Sequence, residues 1–131
     1  MCVFCQIVAG EIPAHKIDED ETTLSFLDIY PVSAGHILVI PKSHYTSLDS
    51  LPAKEAGLLI ASVQRVGRLM KEKLQVAGYN VIQNNDVVAG QVVPHVHFHL
   101  IPRRPNDGLV PFPSGAYQPG ELEAILTKLI G

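Results

Sequence analysis

The chain has no tryptophan and only two cysteines among its 131 residues. Two thiols exclude the multi-bridge framework that staples small secreted domains. A cationic surplus is also missing: Lys plus Arg number 10 against 13 Asp plus Glu, a formal net charge of −3. Proteins that grip nucleic acid through its phosphates ordinarily carry basic excess, so direct nucleic-acid binding is not expected. No apolar run approaches the roughly 18 residues needed to span a bilayer, so no membrane partner is expected. The opening Met1-Cys2-Val3-Phe4-Cys5-Gln6 lacks a basic stretch followed by an apolar one. No signal peptide is read there, and a cytoplasmic location is expected. Charged residues are few, at 18%, whereas hydrophobic residues reach 47%, enough apolar surface to offset the entropy of ordering the chain. What remains is one globular domain over residues 1–131. What the chain does have is six histidines.

Phe4 to Ala9 reads as a short helix ended by Gly10, and Pro13 interrupts regular structure after it. His15–Asp18 and Thr22–Leu27 read as strands, with the acidic Asp18–Glu21 turning between them. Asp28–Gly35 is a loop. His36–Ile40 is an apolar run stopped by Pro41, a strand buried on both faces. Ser50 is the expected N-cap of one long helix, with Pro52 in its first turn. Ala56, Leu59, Val63, Val66, Met70 and Leu74 form its apolar stripe, and Gly78 is expected to end it. Tyr79–Gln83 is a fourth strand, Asn84–Gly90 a loop and Val92–Ile101 a fifth strand. Residues 102–131 read as a proline-rich arm and a short helix, Glu121–Ile130. The class is α+β: a five-stranded, mostly antiparallel sheet with one long helix and short terminal helices.

His95-Val96-His97-Phe98-His99-Leu100 is the most informative segment. On a strand, alternate side chains share a face, so three imidazoles line one side and three apolar side chains the other. A helix would scatter them. Imidazoles so placed suit metal ligation. They equally suit nucleophilic or acid–base chemistry near neutral pH. A merely polar strand face is the plain alternative. Cys2-x-x-Cys5 is likewise open: a redox pair, half a metal site, or chance.

The His95–Ile101 segment resembles the alternating signature of the histidine-triad (HIT) family of nucleotide-binding hydrolases and transferases. The resemblance extends, in order and spacing, through Phe4–Ile7, Gly10–Pro13, Phe26–Ile29, Gly35–His44 and Gly90-Gln91, about residues 2 to 104. It is closest to small bacterial-type members, between the Hint and fragile-histidine-triad branches. It implies a HIT-like fold and chemistry at the α-phosphate of a nucleotide, a purine nucleotide by preference. His97 would be the nucleophile, forming a covalent nucleotidyl-imidazole. His99 would stabilise charge on the phosphate. Asp28 would take the ribose hydroxyls, with Phe26 and Ile29 beside the base. Asn84, Gly90, Gln91 and Val92 match the phosphate-contacting segment, where Gly90 admits close approach and Gln91 would position the leaving oxygen or a water. Many relatives carry Ser or Thr where Val92 stands, so a hydroxyl is missing here. His36 matches a supporting position behind the site.

In zinc-containing relatives, a CxxC pair is completed by the His after the Pro-Lys turn and by the first His of the triad. The resemblance therefore implies a structural zinc on Cys2, Cys5, His44 and His95, stapling the N-terminus to the sheet. It also implies a homodimer, for which Val63, Val66 and Met70 would suit packing across a two-fold. His15 reads as a surface residue, and substrate specificity is expected from the arm between Arg103 and Pro119. The competing functional reading is a non-catalytic nucleotide-binding scaffold.

Overall fold

The computed structural model describes residues 2–110 and 112–131. The chain runs α1 (Val3–Val8), β1 (Lys16–Glu19), β2 (Thr23–Leu27), β3 (Ile37–Pro41), α2 (Ala53–Leu74), β4 (Gly78–Gln83), β5 (Phe98–Arg103) and α3 (Glu121–Ile130). The strands form one sheet in the order β1-β2-β3-β5-β4, and every neighbouring pair is antiparallel.

The apolar run of β3 explains its central place. Its five residues are all buried. Ile37 and Val39 face α2, where they meet Leu59, Val63, Val66 and Met70. Leu38 and Ile40 face the other way, onto Phe4 and Ile7 of α1 and Leu24 and Phe26 of β2. The sheet is thus covered by a long helix on one face and a short one on part of the other. The uncovered remainder of that second face holds the site. Each buried aliphatic side chain contributes about 1.5–3 kcal/mol. Gly67 lets α2 come close to the sheet, because a Cβ there would collide with the Tyr79 ring.

Several expectations need correction. Ser50 does not cap α2; it closes a 3-10 turn over Leu48–Ser50, and Pro52 is the N-cap of the helix. Gly78 opens β4, because Gln75 already takes the left-handed conformation that ends the helix. Val63, Val66 and Met70 are buried within their own chain, so they are not available for a two-fold. Leu74 is exposed beyond the core.

The fifth strand begins at Phe98, not Val92. Pro94 has no N–H to give a ladder. The His95 N–H turns back to the Val93 carbonyl, and the Val96 N–H goes to Tyr45. The Pro41 carbonyl accepts from the His95 ring at 2.8 Å. A side chain thus takes up the last carbonyl of β3, and the pairing of β3 with β5 starts only at Val39 opposite Phe98. Pro102 belongs to β5, and its carbonyl accepts the Ser33 hydroxyl, so the arm leaves the sheet only after Arg103.

Candidate active site

A cavity of 690 Å³ opens on the sheet face that α1 only partly covers. Val3, Phe4 and Ile7 of α1 make one wall, Phe26 to Tyr30 a second, and Asn84, Gly90, Val92 and Val93 a third. His97 and His99 are on its floor. The opposite-facing Val96, Phe98 and Leu100 are buried under α2. The alternation expected from the sequence therefore holds through His97 even though the regular ladder does not.

Hydrogen-bond partners set the tautomer of each ring, because a carbonyl only accepts and a backbone N–H only donates. His97 Nδ1–H donates to the His95 carbonyl at 2.7 Å. Its Nε2 is left with a lone pair. His36 Nδ1 accepts the Val32 N–H at 3.1 Å, so its Nε2 carries the proton and donates to His99 Nδ1 at 2.9 Å. His99 then carries its own proton on Nε2. The two floor rings lie 4.9 Å apart between centroids, one with a lone pair and the other with an N–H. Burial pushes His36 and His97 below the usual histidine value, against the opposing pull of Asp28. Burial, reinforced by the neighbouring His97 and His36, lowers His99 to about 4. Burial thus favours the neutral form of all three rings.

Asp28 does two things. Its Oδ1 accepts the Tyr30 N–H at 2.8 Å, as a turn-capping carboxylate does. Its Oδ2 is 3.7 Å from His36 Nε2, and the residue lines the cavity. Phe26 is buried against the cavity, and Ile29 is exposed at its mouth. Gly90 has φ +96 and sits beside the Asn84 carboxamide. Gln91 needs correction. Its carboxamide accepts the Asp86 N–H at 2.7 Å and donates to the Thr46 and Val93 carbonyls, and the residue is buried away from the cavity. Its visible work is to hold the 86–93 loop in shape. Val92 is 89% exposed at the rim.

A second cluster adjoins the first. The donor atoms of Cys2, Cys5, His44 and His95 all lie within 4.8 Å of one another. Cys2 Sγ is 3.5 Å and Cys5 Sγ 3.6 Å from His95 Nδ1. Cys5 Sγ is 3.3 Å from His44 Nδ1, and the two nitrogens are 3.3 Å apart. A tetrahedral zinc with ordinary bond lengths sets N···N edges of about 3.3 Å and N···S edges of about 3.5 Å. His95 Nε2–H is spent on Pro41, leaving Nδ1 as the donor that a metal requires. The four donors therefore fit zinc in their spacing, and His95 fits it in tautomer as well. Asp28, His36 and His99 also bring donor atoms together. There the Val32 N–H occupies His36 Nδ1 and makes Nε2 a proton donor, so His36 and His99 are a hydrogen-bonded pair with Asp28 beside them and not a ligand set.

Sequence reasoning missed the wall made by α1. Phe4 and Ile7, three apart and both apolar, were the available signal. Phe4 packs edge-on against Phe26, His95 and His97. His15 is exposed as expected, but it lies on the cavity rim. None of the described residues of the arm lines the cavity. Among the described residues no helix is long and apolar enough to cross a membrane.

Residues 9–106 match the HIT domain. An adenosine 5'-monophosphoramidase of Schizosaccharomyces pombe is 42% identical over 127 residues, 95% of this chain and 92% of that one. The crystal structure of a HIT family member from Bacillus subtilis matches with a TM-score of 0.90 at 37% identity, covering 98% of this chain and 94% of that one. A Zn-bound histidine triad family protein from Mycobacterium smegmatis matches with a TM-score of 0.79 at 40% identity, over 98% and 94% of the two chains.

Proposed function

Because the chain belongs to the HIT domain family, we propose that it is a nucleotide hydrolase or nucleotidyl transferase working through a covalent intermediate on His97. The S. pombe relative is named for adenosine 5'-monophosphoramidase activity, which supports the hydrolase reading. The observation that carries the finer reading is the opposite tautomers of the two floor imidazoles. His97 Nε2 attacks the α-phosphorus; the N–P bond forms as the bond to the leaving group breaks with its electron pair, and solvent at the open mouth protonates the leaving atom. His99 Nε2–H donates to a phosphate oxygen on which charge accumulates. Water then attacks phosphorus and gives up a proton to solvent, the N–P bond breaks with its electron pair returning to Nε2, and neutral His97 is regenerated with a nucleoside monophosphate as product. Asp28 would hold the ribose hydroxyls, Phe26 and Ile29 a purine base, and the Asn84, Gly90 and Val92 segment the phosphate. His36 keeps the His99 proton on Nε2.

Within this reading the chain is a zinc-containing, bacterial-type member and a homodimer. Zinc on Cys2, Cys5, His44 and His95 would supply a structural cross-link and no step of the reaction. Strand β4, with Val81 45% exposed, is one of the two edges of the sheet, and on this reading a second copy would add to it. The absence of a hydroxyl at Val92 favours the second reading, a nucleotide-binding scaffold without turnover. Quench into alkaline denaturant, which spares the acid-labile N–P bond, of the protein mixed with an α-labelled adenosine phosphoramidate, followed by intact mass, decides between them. An adduct of one nucleotidyl group that disappears in His97→Ala supports catalysis. Absence of adduct and turnover with tight AMP binding supports the scaffold.

A further inference from the structure

The two thiols have a chemistry that neither the nucleotide reading nor the zinc fit uses. Cys2 and Cys5 are both free and half-buried. Their sulfurs belong to the donor set whose atoms all lie within 4.8 Å of one another. Cys2 is the N-cap of α1, with an extended backbone at φ −67 and ψ 128, and Cys5 is one turn further on. Side chains three apart on a turn are neighbours, and a residue outside the helix can rotate without breaking it. A second cavity, of 550 Å³, is lined by Cys2 and His44 and gives a small polar solute room beside the Cys2 sulfur. We propose that Cys2 and Cys5 are a reversible oxidation site: a peroxide converts them to a disulfide, which dismantles the metal-fitting cluster and loosens the α1 wall of the nucleotide cavity. Only the effect on nucleotide rests on the reading of the first cavity given above.

The chemistry needs thiolates, and both sulfurs are thiolates whenever they ligate a metal. The Cys2 thiolate attacks one peroxide oxygen. The S–O bond forms, the O–O bond breaks, and hydroxide leaves and takes a proton from solvent. The Cys5 thiolate then attacks the Cys2 sulfur. The S–S bond forms, the S–O bond breaks, and the second hydroxide takes a proton from solvent. The pair loses two electrons, and peroxide is reduced to water. His44 and His95 are left without half of the donor set, and two imidazoles alone do not make a structural zinc site. The mechanical consequence follows from α1. It has six residues, of which Phe4 and Ile7 are buried, and so short a helix does not hold itself together. Phe4 sits between the two cysteines in the chain. Its ring is edge-on to His97 at 5.1 Å and to Phe26 at 5.6 Å between centroids, and it lines the nucleotide cavity. A disulfide draws the sulfurs together and away from His44 and His95, so Phe4 loses the anchor that presses it onto the floor.

The test treats the zinc-loaded protein with hydrogen peroxide and then returns one portion to dithiothreitol and zinc. A zinc-responsive dye reads metal release, alkylation with intact mass counts thiols, hydrogen exchange reads α1, and calorimetry reads AMP affinity. Both thiols should disappear together as one disulfide, with zinc released in step and faster exchange over Val3–Val8. AMP affinity should fall about tenfold, within the usual range for coupled sites. Dithiothreitol and zinc should restore all four readings. Thiols that go to sulfinic acid without a disulfide, unrestored by dithiothreitol, mean oxidative damage only and overturn the proposal. A disulfide that leaves both exchange and AMP affinity unchanged also overturns it. Phe4→Ala should still form the disulfide and release zinc, but with the affinity difference reduced to about twofold or less; a difference left whole overturns the route through α1. Failure of the reduced protein to bind AMP would sink the nucleotide reading alone, because thiol pairing, metal release and exchange over α1 still decide the oxidation site.

Discussion

His95 and His97 are two residues apart, both just ahead of β5 and both buried, yet they are prepared for opposite work. His95 gives its Nε2 proton to Pro41 and turns a bare Nδ1 toward the thiols. His97 gives its Nδ1 proton to the His95 carbonyl and turns a bare Nε2 to the cavity. The side chain is the same, so the difference lies in which ring nitrogen a backbone carbonyl claims. A histidine's role is legible from its carbonyl partner before any metal or substrate is considered.

The largest expected effect separates the two rings. His97→Ala should lower turnover by about a thousandfold or more while AMP affinity stays within about threefold, because only the attacking atom is lost. His95→Ala should do more than remove activity: it should abolish metal retention and lower the melting temperature. Comparable losses of metal in both variants would erase the distinction. Next in size is His36→Ala, which frees His99 to place its proton on either nitrogen. A fall in kcat of about 10- to 100-fold with little change in KM is expected, and His36→Asn, which can restore a donor, should recover part of it. A matching rise in KM would instead mark a binding role.

Metal and pH sharpen the same contrast. Cys2→Ser with Cys5→Ser should leave no bound zinc by elemental analysis and should raise hydrogen exchange over Val3–Val8, while β3 stays protected. For pH, the folded values of His36, His97 and His99 lie below the ordinary histidine value, His99 at about 4. The unfolded chain therefore binds protons first as pH falls. Stability should be level above about pH 7 and decline between about 6.5 and 4. His99→Asn should show a shallower decline in melting temperature across that window, and an unchanged slope would contradict the assignment.

Much of the fold and site is readable in sequence because it rests on local pattern. Ile37 to Ile40 is apolar at every position, so a central strand is the economical reading. The imidazole alternation with Val96, Phe98 and Leu100 points to one polar and one apolar face. What escapes is set by distant partners. The late start of β5 depends on bonds to Pro41 and Tyr45, far back in the chain. Gln91 matches the phosphate segment by its place in a motif, but its three partners are backbone atoms. The cap of α2 falls to Pro52 because Ser50 is engaged with Ser47.

His95 belongs to both clusters at once: its ring closes the thiol cluster, and its carbonyl holds the His97 ring. Phe4, carried between Cys2 and Cys5, leans on both rings. Two ligands that favour the same placement of a shared residue are thermodynamically linked, and the coupling is reciprocal. A cation that tightens nucleotide binding by some factor must itself be bound more tightly, by that same factor, when nucleotide is present. Competition with a chelator, run with and without AMP, would therefore read the strength of the mechanical connection between the two ends of the site without any reaction taking place.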